Sequence, residues 1–338
     1  MSTRQAFTFA DLFAGIGGMR LAFESVGGEC TLTSEINEHA LKTYKFQNWK
    51  SDHPDHKFVD DVVELGDLSA SKIPKHDVLV AGFPCQPYSI AGLRQGLEDE
   101  KGRGQVFLSI LDVLKKAKPK AFLLENVKGM MSHDQGRTLA YMLERLALQT
   151  GPNKKPLYTV LQPQVMNSMT HGGVPQNRER VFIIGFRNDV DYSSFQFPEP
   201  IKLKATLQTK LQKKDVAEKY FYDKRFECFT EIKKAVVRDD TAYQWRRVYV
   251  RENKSGVCPA LTANMGSGGH NVPLVKVEGG IRKLTPRECA NLQGFDLFDF
   301  KIPSEMADAH LYHQFGNSVT VPLIARIAEK IAEVVTID

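Results

Sequence analysis

The sequence predicts an α/β chain: a doubly wound parallel sheet with helices on both faces, plus a smaller lobe that is mainly irregular or β. Three observations carry this expectation. From residue 7 to about 190, short apolar runs alternate with stretches of helical periodicity, the pattern of a sheet built from strand–helix–strand units. Around residue 190 the alternation stops at SSFQFPEP, and about ninety basic, turn-rich residues follow. VTVPLIARIAEKIAEVV at 319–335 then restores helical spacing, with apolar residues at 324, 327, 328, 331 and 334.

In order, FTFADLF reads as the first strand and GMRLAFESVG as the helix after it. CTLTSEI is a second strand, and FVDDVVEL carries the end of a third. DVLVAGF is another strand, VFLSILDVLKKA an amphipathic helix, AFLLENV a strand and VFIIGF a late strand. These runs define a first domain over 1–190, a small lobe over 191–281, a connecting segment over 282–314 and a C-terminal helical stretch over 315–338.

The bulk numbers exclude several classes. With 338 residues, 42% hydrophobic and 25% charged, the chain suits a soluble globular protein. No apolar run approaches a membrane span, and MSTRQAFTFADLF lacks the pattern of a signal peptide, so a cytoplasmic location is expected. The five cysteines, at 30, 85, 228, 258 and 289, form no CxxC. Free thiols are expected, with no disulfide framework and no metal site. His53 and His56, in SDHPDHK, read as surface histidines of a polar loop. The net charge of +5 is uneven: residues 201–251 hold 14 Lys and Arg against 7 Asp and Glu, leaving −2 for the rest. Tyr220, Phe221, Tyr222, Tyr243, Trp245 and Tyr249 interleave with those cations. A solvated lysine-rich face is one reading; a phosphate-backbone partner is the other.

The first strand–helix joint, DLFAGIGGMR, has Arg20 where a nicotinamide dinucleotide fingerprint starting at Gly15 needs glycine. Glu35 follows the second strand, twenty residues after Gly15, where a carboxylate reaches ribose hydroxyls. A ribose without a pyrophosphate favours S-adenosylmethionine over NAD, although Glu35 also reads as a plain strand-end charge. Asp61 is placed to accept from an adenine amino group.

DVLVAGFPCQPYS ends an apolar strand in Cys85, which is either a small core residue or a thiol held out for chemistry. Strand carboxyl ends in open α/β sheets are where ligands bind. The glycine-bearing QPYSIAGLRQGLEDEKGRG that follows suits a closing loop, which favours the thiol reading. Glu125 ends the apolar AFLLENV, where burial without a partner would be costly. Arg178 and Arg180, two apart in PQNRER, share one side of an extended chain and suit a common polar ligand. The bland readings are a loop-facing carboxylate and two surface arginines.

DLFAGIGG, FPCQ, ENV, QNRER, RKLTPRECANLQGF and QFGNSV occur in that order along nearly the whole chain. In this the sequence resembles the DNA (cytosine-5)-methyltransferase family of bacterial restriction–modification type. LTANMGSGGHNVP resembles the Thr-Leu element of that family's target recognition domain. The resemblance implies a Rossmann-like S-adenosylmethionine-dependent methyltransferase domain, with 191–281 as target recognition domain and the C-terminal helix packed back on the first domain. It implies methylation of cytosine carbon 5 in a specific duplex site, after base flipping, with Cys85 adding to carbon 6. Glu125 would act at ring N3, Arg180 at O2, and Arg178 would support the site and a neighbouring phosphate.

The same resemblance implies that Phe13, Gly15, Ile16 and Gly18 cradle the cofactor, Glu35 takes the ribose and Ile36 the adenine. Asp61 and Val62 would hold the adenine edge, Pro84 and Val106 the walls, and Asn317 and Ser318 the methionine end. The segment before Val106, EDEKGRGQV, runs longer than the family pattern. DNA contacts would come from Gln86, Ser89, Arg94, Thr262, Trp245, Arg246 and Arg247, although QWRR also suits packing within the small lobe. Expected partners are double-stranded DNA and a separately acting restriction endonuclease, with no membrane and a monomer as working unit. Three rivals compete. ECFT at 227–230 superficially matches a tRNA-modifying branch, but EIKKAVV does not continue it. A silent DNA-binding regulator would have lost the cysteine, glutamate or glycine loop. Arg20 counts against a nicotinamide oxidoreductase.

Overall fold

The computed structural model describes residues 6–47, 49, 52–84, 103–150, 155–246, 248–267 and 271–336. Five strands run parallel: β1 (Phe7–Leu12), β2 (Gly28–Ser34), β3 (Asp52–Val59), β4 (Val78–Gly82) and β5 (Ala121–Val127). Between them lie α1 (Gly18–Glu24), α2 (Glu38–Lys45), α3 (Val62–Asp67) and α4 (Arg103–Ala117). After α5 (Arg137–Leu146) come a hairpin of β6 (Gln149–Thr150) and β7 (Lys155–Pro156), then β8 (Tyr158–Val160) and β9 (Gln164–Asn167). The sheet order is β3-β2-β1-β4-β5-β11-β8, with β9 also on β11 (Glu179–Arg187).

Alternate strand residues feed two cores, as the two-residue period of a strand requires. Phe7, Phe9, Val78, Val80, Ala121 and Leu123 face one layer with Ala22 and Phe23 of α1. Ala10, Leu12, Leu79, Ala81, Phe122 and Leu124 face the other with Phe107, Ile110 and Leu114 of α4. Burial on both faces explains the near-continuous apolar runs of β4 and β5.

Two expectations need correction. The late strand VFIIGF is antiparallel: β11 pairs antiparallel with β5, β8 and β9. A hairpin and short turns precede it, including α6 (Ser168–His171), in place of the crossover helix that a parallel strand needs. SDHPDHK is not a loop, since its residues from Asp52 onward belong to β3. There His56 Nε2 lies 3.0 Å from Thr33 Oγ1. Pro54 and the charged side chains suit a sheet edge.

Beyond residue 190 come α7 (Phe229–Ala235) and a four-stranded sheet, β13-β12-β15-β16. It is made of β12 (Tyr243–Trp245), β13 (Val250–Glu252), β15 (Leu274–Val277) and β16 (Gly280–Lys283). Ile232, Val236, Tyr243, Leu274 and Ile281 form its own small core. Leu207, Tyr220, Leu261 and Val275 instead join the main core, and β10 (Gln176–Asn177) pairs with β14 (Cys258–Pro259). The apolar core therefore runs without a break across residue 190.

RKLTPRECANLQGF folds into α8 (Pro286–Leu292), with Thr285 and Glu288 forming a capping box. The Glu288 carboxylate also takes two bonds from the buried Arg282 guanidinium, at 2.7 and 2.6 Å, the bidentate geometry that satisfies a buried ion pair. α9 (Asp308–Asn317) and α10 (Val321–Val335) complete the chain. Ile324, Ile327, Ala328, Ile331 and Val334 are all buried, and α10 packs on α1. Cys30, Cys228, Cys258 and Cys289 are free thiols. Among the described residues no helix is long and apolar enough to cross a membrane.

Candidate active site

The strand order reverses between β1 and β4, and open α/β sheets bind ligands in the crevice at such a switch point. A cavity of about 320 Å³ lies there, bordered by Phe13, Gly15, Glu35, Pro84, Glu125 and Arg180 among others. That volume lies in the range of small-ligand sites.

The glycine loop forms one wall. Phe13, Gly15 and Gly17 all have left-handed φ, at 58°, 57° and 88°, and glycine adopts such angles without steric cost. The three glycines differ in what fills the missing side chain. A Cβ on Gly15 would meet nothing within 4 Å, whereas one on Gly18 would lie 2.9 Å from Val319 Cγ2 and 3.0 Å from Ser318 Oγ. Gly15 thus leaves room for a ligand, and Gly18 lets the QFGNSV segment close in.

Glu35 sits beside this loop. One carboxylate oxygen accepts from Gly15 N (2.7 Å) and the other from Asn37 N (2.6 Å). A carboxylate offers about four acceptor positions, so each oxygen keeps capacity for a further donor, as a vicinal diol requires. Ile36, 68% exposed, borders the same cavity. The residues present therefore fit a nucleoside with an open ribose edge, and no phosphate cradle is needed. Ile16, Gly18, Asn317 and Ser318 also border the cavity. Asp61, Val62 and Val106 are not among the residues that border it. Asp61 caps α3 by accepting from Val63 N (2.8 Å), Val62 is buried, and Val106 packs against the second core.

The opposite wall comes from β5 and β11. Their register puts Glu125 opposite Phe182 and Arg180 opposite Val127, so Glu125 and Arg180 are diagonal neighbours on one face. Arg180 Nε lies 3.0 Å from Glu125 Oε1, and both side chains are largely buried. Asn126, which the sequence reading did not single out, donates from Nδ2 to Phe83 O (3.0 Å) and accepts from Val127 N (2.8 Å). It ties the end of β4 to β5. Cys85 follows Pro84 at this strand end but lies outside the described residues, as do Gln86, Ser89, Arg94 and Arg247.

Arg178 borders the same cavity as Arg180, but its terminal guanidinium nitrogens are committed to backbone carbonyls. It is only 2% exposed, out of reach of a DNA phosphate. Its guanidinium donates to Leu261 O (2.6 Å), Gly316 O (3.2 Å) and Ser318 O (2.7 Å). It braces the Thr-Leu segment against the end of α9. Thr262 is exposed, and its backbone meets Gly316 so closely that no Cβ would fit on that glycine. Gln293 Nε2 adds bonds to Phe315 O (2.8 Å) and Ser318 O (3.2 Å). Gln314 accepts from Thr43 Oγ1 (2.9 Å) and donates to His39 O (2.8 Å), joining α9 to α2. The glutamines of LQGF and QFGNSV were the legible signal for these braces. Trp245 packs partly against the small core, while Arg246 is exposed and donates to Gln244 (3.0 Å).

Behind the glycine loop, Asp11 is wholly buried and neither carboxylate oxygen has a hydrogen-bond partner of standard geometry. Burial pushes its pKa up to about 8 from 3.8, with nearby Glu35 adding to the rise and Arg20 opposing it. A carboxyl whose folded pKa exceeds its unfolded value holds a proton only in the native state between the two values, so stability is lost as pH rises from about 4 to about 8. Asp11→Asn mimics the neutral form. Urea unfolding at pH 5 and pH 9 should show the variant gaining on the wild type with pH, by something on the order of a few kcal/mol. An unchanged difference at the two pH values would remove Asp11 as the titrating group.

Comparison with known proteins gives a consistent picture. The family model described as C-5 cytosine-specific DNA methylase matches residues 7–333. The chain is 45% identical to the type II methyltransferase M.Bsp6I of Bacillus sp. (strain RFL6), covering 95% of this chain and 97% of that one. It is 38% identical to the type II methyltransferase M.HpaII of Haemophilus parainfluenzae, covering 98% and 90%. In fold it is similar to the S. pombe Dnmt2 methyltransferase, with TM-score 0.68 and 17% identity over 97% of this chain and 99% of that one. No group of three or more histidine, cysteine or acidic side chains suited to a metal occurs among the described residues.

Proposed function

Because the chain belongs to the C-5 cytosine-specific DNA methylase family, and is a cytosine-5 DNA methyltransferase of type II restriction–modification kind, we propose that it methylates a flipped-out cytosine through a covalent adduct at Cys85. The observation that carries this reading is a single cavity with Glu35 and the open face of Gly15 on one wall and the Glu125–Arg180 pair on the other. The strand leading to Cys85 lies beside it.

Carbon 5 of cytosine is a poor nucleophile. Addition of the Cys85 thiolate to carbon 6 forms an S–C6 bond and turns carbon 5 into the nucleophilic end of an enamine. Glu125 holds or donates the proton at N3, which stabilises the adduct. Arg180, oriented by Glu125, binds O2. S-adenosylmethionine, when bound, would supply its sulfonium methyl to carbon 5, the S–CH3 bond breaking to leave S-adenosylhomocysteine. Its ribose suits the remaining acceptor capacity of Glu35, its adenine the exposed Ile36 with Asp61 and Val62, and its methionine end Asn317 and Ser318. Loss of the C5 proton to a base, with ordered water as candidate, then expels the thiolate and restores the C5–C6 double bond. A base stacked in a duplex cannot reach this cavity, so it must swing out of the helix.

Residues 191–281 serve in this reading as the target recognition region, with Arg246, Arg247 and Thr262, together with Gln86, Ser89 and Arg94, as DNA contacts. Their net positive charge, drawn from residues 201–251, suits a phosphate backbone. The protein would act as a monomer on cytoplasmic DNA and protect it from a separate endonuclease. Incubation with radiolabelled S-adenosylmethionine and mixed-sequence duplex DNA or tRNA tests the reading. Label in duplex DNA is expected, and bisulfite sequencing then gives the site; label in tRNA alone would overturn it.

A further inference from the structure

Behind the glycine loop lies a cluster of aromatic rings and a buried cation with no assigned role. The rear of Gly17 is filled by Trp49: a Cβ there would lie 2.6 Å from Trp49 Cζ2 and closer still to Cη2, with Tyr44 Cδ2 at 3.3 Å. The fully buried Arg20 sits 4.5 Å over the Trp49 ring and bonds Glu24 Oε1 (2.6 Å) and Tyr44 OH (2.8 Å). The Tyr44 ring lies tilted against Trp49 with centroids 4.8 Å apart, and its hydroxyl continues to Thr33 Oγ1 at 2.8 Å. Gln47, two residues before Trp49, is fixed by reciprocal bonds with the Lys301 backbone at 2.8 and 2.9 Å. The Trp49 indole N–H has no hydrogen-bond partner among the described residues, so ring packing alone accounts for its placement.

The loop needs such a support. It carries three left-handed residues, one of them Phe13, a conformation that costs a non-glycine residue about 1 kcal/mol or more and persists only where surroundings over-determine it. Its front, at Gly15, is open to the cavity. Its backbone is tied at Ala14 N to Ser34 O (3.0 Å), Gly15 N to Glu35 and Gly17 N to Ala14 O (2.8 Å). The rear is held by the indole.

We infer that Trp49, clamped by Arg20, is a positioning residue for the S-adenosylmethionine loop: it fixes the Gly17 turn from behind and so sets where Gly15 and Glu35 meet the cofactor. This rests on the cavity being the S-adenosylmethionine site. It predicts a defect in cofactor affinity and not in chemistry, because Glu125 and Arg180 stand on β5 and β11, away from the cluster.

Equilibrium dialysis with radiolabelled S-adenosylmethionine and steady-state kinetics would be run on wild type, Trp49→Ala and Trp49→Phe. Trp49→Ala should raise both Kd and KM for S-adenosylmethionine about ten-fold, with kcat and the KM for DNA within about two-fold, as expected for a displaced binding element. Trp49→Phe, which keeps a ring against Gly17 and Arg20, should restore most of the affinity. A folded Trp49→Ala protein with wild-type Kd overturns the inference and leaves the site reading intact. A wild type that binds no S-adenosylmethionine overturns the site reading itself. If Trp49→Ala does not fold, fluorescence decides. The chain has two tryptophans, so Trp245→Phe isolates Trp49, whose emission should shift on S-adenosylmethionine titration with the dialysis Kd. An unmoved emission overturns the inference.

Discussion

Cys85→Ala should lose methyl transfer by about 10⁴-fold or more, the scale seen when a covalent nucleophile is removed. In the proposed mechanism carbon 5 is not activated without the thiolate, and the remaining groups only hold the base. Binding of S-adenosylmethionine should be within about two-fold of wild type, because Gly15, Glu35 and Ile36 stand on other strands and loops. Cys85→Ser keeps a nucleophile of similar size but far higher pKa, and should also be nearly silent. The direct assay is a duplex in which the target carries 5-fluorocytosine. Fluorine cannot leave carbon 5 as a proton does, so the wild type should form a complex that survives denaturing electrophoresis. Cys85→Ala should form none. Turnover within ten-fold of wild type in the alanine variant would exclude the covalent route.

Glu125→Gln should lower the single-turnover rate by about 10²- to 10⁴-fold, the span assigned to a positioned acid–base group. The glutamine amide keeps the shape and still accepts from Arg180 Nε, now 3.0 Å from Glu125 Oε1. What it lacks is a carboxyl proton that can be transferred to ring N3. It also leaves Arg180 without its charge partner in a largely buried place, so a stability loss of up to about 3 kcal/mol is expected alongside. The two effects separate: rates are read at saturating DNA and S-adenosylmethionine at a temperature where urea curves show the variant folded. A destabilised variant with a wild-type rate would reduce Glu125 to a structural partner of Arg180.

Much of the site was readable as spacing. Gly15 to Glu35, AFLLENV ending in Glu125, and FPCQ at a strand end are local patterns, and each marks a strand carboxyl end where an open sheet binds ligands. Features that depend on distant partners are not legible in this way. Arg178 and Arg180 look equivalent in QNRER, yet one spends its donors on Leu261, Gly316 and Ser318 while the other faces Glu125. Arg20 was legible only as a missing glycine, not as a buried cation stacked on Trp49. The antiparallel direction of β11 left no mark, because a strand buried on both faces reads alike in either direction.

The sequence by itself determined the alternation of strand and helix, the order of the motifs and the residue types able to bind a ribose or attack a pyrimidine. These are properties of short segments, set by two- and 3.6-residue periods and by side-chain chemistry. Only the tertiary structure decided which of those residues share a cavity. That depends on sheet order and on contacts such as Thr43 with Gln314, 271 positions apart. A hydrogen bond over that separation is fixed by the packing of whole elements, and no local pattern encodes it.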